Sequence, residues 1–341
     1  MIICSRASVI GFAAGIWLAV SNVLAAAPAN FSPETTIWFD APANDFTSSS
    51  PMGNGRLGAM MFGGVDEERI VLNESSVWSG SPQEADRPDA YKSLPEIRKL
   101  LLQGKNVEAE ALVNSNFTCL GPGSAGAQYG CYQVLGNLHL SFANGGLNSV
   151  VTDYRRQLNL DDAVTDLDFS RNGVNYQREM FVSKPAEAIV LHLTASAKGQ
   201  ISFSARLDRP ERFATAGDGN NGLLMTGQLD NGVDGKGVRY AARLRMVNQG
   251  GSVSVHDNIL SVDGADEVTL FITAATDYRG FAGRQLMDPV AATSNDMAKA
   301  VAAAIVTPAI RRVVSLRRRC TLGSDIPWRS DRISVSPPHV I

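Results

Sequence analysis

The chain has 341 residues, of which 44% are hydrophobic and 19% charged, and its formal net charge is −3. That balance fits a globular protein with a sizeable core and excludes a disordered chain, and the small negative charge gives no basis for nucleic acid binding along the whole chain. The length allows one large β domain or two smaller ones.

Residues 1–27 read as a signal peptide. Arg6 supplies a positive start, Val9 to Val20 is an apolar run, and Val23-Leu24-Ala25-Ala26-Ala27 places small residues at cleavage spacing. The apolar run is shorter than the roughly 20 residues of a spanning helix, so export to the periplasm or the medium is expected, without a stable membrane anchor. Cys4 falls in the discarded peptide, and Cys119, Cys131 and Cys320 remain. Cys119 and Cys131 either close a short loop through Gly121-Pro122-Gly123 or stay as two free thiols. An oxidising compartment favours the disulfide, which would contribute about 3 kcal/mol in a chain-entropy model. No second Cys or His pair sits at ligand spacing, so no metal is expected, and no cofactor fingerprint, P-loop or nucleophile elbow is present.

A lead-in segment over 28–36 precedes a short strand at Ile37-Trp38-Phe39. Gly53-Asn54-Gly55 marks a sharp turn, because Gly and Asn tolerate positive φ. Arg56 to Phe62 then reads as a buried strand, Gly63-Gly64 as punctuation, and Arg69-Ile70-Val71-Leu72 as a second apolar run ending in Asn73-Glu74-Ser75-Ser76 and Trp78-Ser79-Gly80. Ser93-Leu94-Pro95-Glu96 has capping-box spacing, with Ile97, Leu100 and Leu101 at helical spacing up to Gly104, and a second short helix is expected over Val107–Val113. From about residue 130 the pattern is strand after strand: Tyr132–Phe142, Val164–Phe169, Val174–Val182, Ala188–Leu193, Ile201–Leu207, Leu223–Leu229, Val238–Val247, Val253–Val255 and Val268–Ala275. Asn172-Gly173 is the strongest hairpin signal among them. The expected fold class is mainly β: a large antiparallel β-sandwich over residues 28–290 with a short helical insertion near residues 93–115. Residues 291–306 read as a helix that Thr293-Ser294-Asn295 can cap. Residues 307–341, with Arg311, Arg312, Arg317, Arg318 and Arg319, read as an atypical, disordered tail outside the fold.

Met52-Gly53-Asn54-Gly55-Arg56-Leu57-Gly58-Ala59-Met60, continuing to Val65, followed by Leu72-Asn73-Glu74-Ser75-Ser76-Val77-Trp78-Ser79-Gly80, closely resembles the N-terminal domain of glycoside hydrolase family 95. The likeness continues through Leu94-Pro95-Glu96-Ile97-Arg98, Ala109-Glu110-Ala111-Leu112 and Tyr132–Leu140, and spans roughly Trp38 to residue 305. The resemblance implies a large β-sandwich, α-L-fucosidase activity in the whole enzyme by an inverting route, and a fucosylated oligosaccharide as partner. It also implies that the catalytic carboxylates lie in an (α/α)6 barrel, whose motifs no position here matches. The chain is therefore expected to be inactive alone, with no catalytic residue assigned; the alternative is a stand-alone carbohydrate-binding or interaction module.

The segment nearest to chemistry is Asn73–Trp78. Asn73 and Glu74 offer oxygen and amide groups to sugar hydroxyls, and Trp78 offers a ring face to a sugar's C–H side. The competing reading makes Asn73 and Ser75 turn-satisfying groups, Glu74 a solvated carboxylate and Trp78 a core anchor, which for Trp78 is preferred. Arg56 is expected to hold its turn through carbonyls or a carboxylate. His139, His192 and His256 read as strand residues, Asp66-Glu67-Glu68 as a solvated charge run, and Trp38, Tyr91, Tyr129 and Tyr132 as core aromatics rather than a platform.

Overall fold

The computed structural model describes residues 34–80, 86–117, 130–143, 149–278 and 287–305. The expected signal peptide, Cys119, Tyr129, Cys320 and the Arg-rich tail lie outside the described residues. Sixteen strands run in chain order: β1 (Thr36–Phe39), β2 (Ser50–Gly53), β3 (Leu57–Met61), β4 (Glu67–Glu74), β5 (Gly136–Phe142), β6 (Val151–Asn159), β7 (Val164–Arg171), β8 (Val174–Ser183), β9 (Ala188–Ala195), β10 (Ile201–Asp208), β11 (Ala214–Gly217), β12 (Gly222–Gln228), β13 (Arg239–Gln249), β14 (Ser252–His256), β15 (Ile259–Ala265) and β16 (Glu267–Thr276). Helices α1 (Leu94–Leu102) and α2 (Asn106–Asn116) stand between β4 and β5, and α3 (Pro289–Ile305) follows β16.

The strands form two antiparallel sheets. A nine-stranded sheet has the order β1-β6-β7-β8-β9-β16-β13-β12-β11, and a seven-stranded sheet the order β14-β15-β10-β5-β4-β3-β2. The mainly β sandwich expected from the strand pattern is therefore what the chain forms. Its core collects the inward members of each alternation, among them Leu57, Ala59 and Met61 from β3, Leu138 and Leu140 from β5, and Phe203, Ala205 and Leu207 from β10. Because successive strand side chains point to opposite faces, one face of each sheet supplies this layer.

β16 departs from alternation: every residue from Val268 to Ala275 is buried. Leu270, Ile272 and Ala274 face the sandwich core, while Phe271 packs with Phe181, Val190, Met297 and Ala300 in a second cluster beneath α3. Burying Phe271 contributes about 2–3 kcal/mol, which a sheet face left in water would forgo. Helix α3 is capped by Asp288, whose Oδ1 accepts from the amides of Val290 (3.0 Å) and Ala291 (3.2 Å). The expected cap at Thr293-Ser294-Asn295 instead falls inside the helix, where Thr293 is buried and its carbonyl accepts from the Thr273 hydroxyl at 2.9 Å.

The capping box at Ser93 does not form. A one-turn 3-10 helix (Ala90–Ser93) runs straight into α1, leaving Ser93 with helical angles (φ −83°, ψ −15°) and no side-chain cap bond. The Asn172-Gly173 turn behaves as its sequence predicts, with positive φ at both residues (52° and 75°). The strand expected from Tyr132 begins only at Gly136, and the charged strand β6 was not anticipated. β6 carries a register shift between Thr152 and Arg155 with Asp153 at φ 55°, a bulge that re-aims the next side chain. Tyr154 donates its hydroxyl to the Gly63 carbonyl at 2.7 Å.

Gly63 and Gly64 turn β3 toward β4 under heavy crowding. A Cβ at Gly63 (φ +77°) would lie 2.5 Å from both Arg156 Cδ and Tyr154 Oη, and one at Gly64 would overlap the Glu67 carbonyl. Gly63 is required on grounds of both dihedral and space, and Gly64 on grounds of space. Gly63→Ala is expected to destabilise the protein by at least about 2 kcal/mol, read as a lower urea midpoint at unchanged slope; a midpoint equal to that of the parent would refute the crowding argument.

Candidate functional site

The Asn73–Trp78 segment leaves the end of β4, where Leu57 pairs with Glu74 and Gly58 with Asn73. Glu74 is fully buried, not solvated. Its Oε2 accepts from the Ser76 amide (2.7 Å) and hydroxyl (2.6 Å), and Oε1 lies 3.8 Å from Arg56. The Ser76 hydroxyl also reaches the Thr276 hydroxyl at 2.6 Å, tying the segment to the end of β16.

Arg56 is the centre of a larger cluster. Asn54 makes the turn that presents it: its Oδ1 accepts from the amides of Arg56 (2.9 Å) and Leu57 (2.8 Å), and its Nδ2 donates to the Ser183 carbonyl at 3.1 Å. The guanidinium then donates to Glu187, to the Ala274 carbonyl at 2.6 Å and to Asp296 at 3.1 Å. The sequence expectation of a carbonyl or carboxylate partner holds for Arg56. The partners, however, lie on the neighbouring strand, in the opposite sheet and in α3 rather than in its own turn. Burial raises the Glu187 carboxyl, but hydrogen bonds from Arg56 and Lys184 outweigh it and bring the group below its ordinary range.

Trp78 is 45% exposed and Tyr132 is 39% exposed, so neither is a core residue. A single antiparallel bridge pairs their backbones, and their rings meet edge-to-face at 6.0 Å between centroids and 72° between planes. The Tyr132 hydroxyl donates to Asn73 Oδ1. Burial, with the nearby Glu74 charge second, raises the Tyr132 phenol and keeps it a donor. The structure thus brings Asn73, Trp78 and Tyr132 to one exposed surface, with Glu74 beneath it. The core reading of Tyr132 follows the general burial of aromatic residues, but Tyr132 lies in the irregular stretch before β5, where it is exposed. Cys131 is exposed, with its sulfur 3.7 Å from the Ser79 hydroxyl.

The other candidates are dispersed. Trp38 is exposed beneath the Arg155 guanidinium, 5.1 Å from its ring centroid, and Tyr91 is exposed on the 3-10 helix. His139 contacts Asp208 at 3.2 Å, and His256 is exposed at the end of β14. In the Asp66-Glu67-Glu68 run, Glu68 is buried rather than solvated, because it receives the amides of Phe62 (3.2 Å) and Gly63 (2.9 Å) and lies 3.4 Å from Arg178. Desolvation pushes its carboxyl up to about 7 against the pull of Arg178. A cavity of about 20 Å³, room for one water, is lined by residues including Val65, Phe142, Phe169 and Arg178, and by none of Asn73, Glu74 and Trp78. Among the described residues no group of three His, Cys, Asp or Glu side chains could hold a metal ion.

Comparison with known proteins places these features in a wider set. A family profile described as "Glycosyl hydrolase family 65, N-terminal domain" matches residues 37–281. "Alpha-L-fucosidase 2" of Arabidopsis thaliana is 31% identical over 71% of this chain and 30% of its own length. "Probable alpha-fucosidase A" of Aspergillus niger is 31% identical over 77% of this chain and 33% of its own length. The protein of the same name from Aspergillus oryzae is 25% identical over 74% of this chain and 35% of its own. The chain spans about a third of the length of these curated relatives.

Two measurements test the electrostatics. Arg56→Met strands Glu74 without its cation and is expected to cost about 3–5 kcal/mol, with faster amide exchange along α3 as the Asp296 tie is lost. A loss under about 1 kcal/mol with unchanged exchange in α3 would refute the role given to Arg56. His192, bonded to Thr269 at 3.1 Å, is held down to about 4 from 6.5 by burial. Its charged form is disfavoured in the fold, so its contribution is fully present above pH 6.5 and is lost as pH falls toward 4. Glu68, raised to about 7, works in the opposite sense, contributing below its ordinary range and losing that contribution as pH rises through 7. The parent should therefore lose about 1–3 kcal/mol relative to His192→Asn between pH 7 and pH 4, and parallel stability curves for the two proteins would contradict the assignment.

Proposed function

The chain belongs to the family described as glycosyl hydrolase family 65, N-terminal domain, and from that premise we propose that it is the β-sandwich domain of an exported α-L-fucosidase-like glycoside hydrolase. The observation that carries the reading is 31% identity, over most of the chain, to proteins named as α-fucosidases. The substrate class of the whole enzyme is then a fucosylated oligosaccharide. Export rests on the Arg6, Val9–Val20 and Ala25–Ala27 pattern of the leader.

Within that enzyme this domain supports rather than catalyses. Inverting hydrolysis needs two carboxyl groups about 6.5–9.5 Å apart with a water between them. The buried carboxylates Glu68 and Glu74 are instead engaged by Arg178 and Arg56 and by backbone amides. Both carboxyl groups are buried and held by these partners, so neither is presented to a sugar.

The expected outcome with an aryl α-L-fucoside is no turnover above background by the purified chain. Turnover that disappears in Glu74→Gln would overturn the support role. N-terminal sequencing of the exported protein should begin just after Ala25 or Ala27, and an intact Met1 on the exported form would contradict the leader assignment.

A further inference from the structure

We propose that Trp78, Tyr132 and Asn73 form a contact surface for a neutral sugar residue with an apolar face, a 6-deoxyhexose such as an α-L-fucosyl group. The sugar class rests on the functional reading above; the surface itself rests on geometry.

The two aromatic side chains are fixed before any ligand arrives. The bridge between Trp78 and Tyr132 is flanked by hydrogen bonds from the Ser79 amide to the Cys131 carbonyl (3.0 Å), from the Gln133 amide to the Val77 carbonyl (2.9 Å) and from the Cys131 amide to the Ser79 hydroxyl (3.1 Å). The same short ribbon sends Val77 and Leu135 fully into the core. Burial of one face thereby holds Trp78 and Tyr132 outward on the other, and little side-chain freedom remains to be lost on binding. Large aromatic surfaces kept in water at fixed positions mark contact sites.

The polar group beside the rings decides the kind of ligand. Because Asn73 Oδ1 accepts the Tyr132 hydroxyl, the other end of the amide is its NH2 group, which has no acceptor among the described residues. A hydrogen-bond donor next to an exposed indole face matches a sugar lying with C–H groups on the ring and a hydroxyl oxygen toward the amide. The carboxylate whose charge acts on Tyr132, Glu74, is buried and engaged by Arg56 and Ser76, so it offers a ligand no ion pair, and the rings and amide suit an uncharged ligand. A 6-deoxyhexose fits better than its 6-hydroxy counterpart, since the methyl group extends the apolar face where a hydroxyl would have to be desolvated.

Titration of the folded chain with an α-L-fucosyl oligosaccharide, followed by calorimetry and by the indole N–H resonance of Trp78, tests the proposal. Saturable binding is expected, weakened roughly tenfold by Trp78→Ala and several-fold by Tyr132→Phe, which keeps the ring but frees the Asn73 amide. Methyl α-L-galactoside should bind more weakly than methyl α-L-fucoside. No heat and no shift at Trp78 with any fucosylated ligand would overturn the proposal, as would binding unchanged in both variants, or a Trp78 resonance that moves only with protein concentration and so reports self-association. Binding is read without turnover: an active chain that fails to bind through Trp78 sinks only this inference, and a chain that binds but hydrolyses the aryl fucoside sinks only the support role.

Discussion

A guanidinium withdrawn from water needs negative charge and carbonyl oxygens around it, and Arg56 finds them on three separate parts of the fold. Glu74 comes from the neighbouring strand of its own sheet, Glu187 and the Ala274 carbonyl from the opposite sheet, and Asp296 from α3. Bringing one cation to all three is possible only if the chain turns sharply before it, which Gly53-Asn54-Gly55 does with Gly55 at φ +89°. The side chain of Asn54 closes that turn and fastens it to Ser183. Removing Arg56 would leave the buried Glu74 without its cation, so one side chain ties both sheets and the helix together.

The other end of β3 is fastened in a similar way by different residues. Arg178 donates to the carbonyls of Gly64 (2.6 Å) and Val65 (2.7 Å) while its guanidinium lies 3.8 Å from the centroid of the Phe142 ring. Arg156 donates to the Ser50 hydroxyl and the Ser48 carbonyl, each at 2.9 Å, and covers the ring of Phe39. Burial brings Arg178 down to about 10, with Glu68 opposing that shift. Both arginines reach from the nine-stranded sheet into the seven-stranded one, Arg178 to the turn that leaves β3 and Arg156 to the start of β2 and, at 3.5 Å, to the Met61 carbonyl at the end of β3. A five-residue strand is therefore pinned across the sandwich at each end, and its two glycine-rich turns are the places where a side chain would obstruct the pins.

Period-two alternation made β7, β8, β10 and the Asn172-Gly173 hairpin legible in the sequence, because one face of each strand is buried and the other is not. The same rule concealed β6. Its Tyr154-Arg155-Arg156-Gln157 run looks polar on both faces until Arg156 is seen to be buried between the sheets. It also misread Asp66-Glu67-Glu68 as wholly solvated, since nothing local reveals that Arg178, more than a hundred residues away, receives Glu68. The Asn73–Trp78 segment was recognisable as a chemical mixture, but not its division into a buried carboxylate and an exposed ring. That division depends on the bridge to Tyr132, which comes from beyond both intervening helices.

The scaffold and the exposed surface are parts of one construction. Glu74 and Ser76 anchor the segment from below to Arg56 and Thr276, while Asn73 and Trp78, on either side of them, reach outward to Tyr132. Charge is consumed entirely in the anchoring layer, and the outer layer is left aromatic and amide in character. A surface of that kind suits neutral, partly apolar ligands and offers nothing to move a proton. The buried charged layer and the exposed aromatic layer are thus physically separate, although both are built from the same six-residue segment.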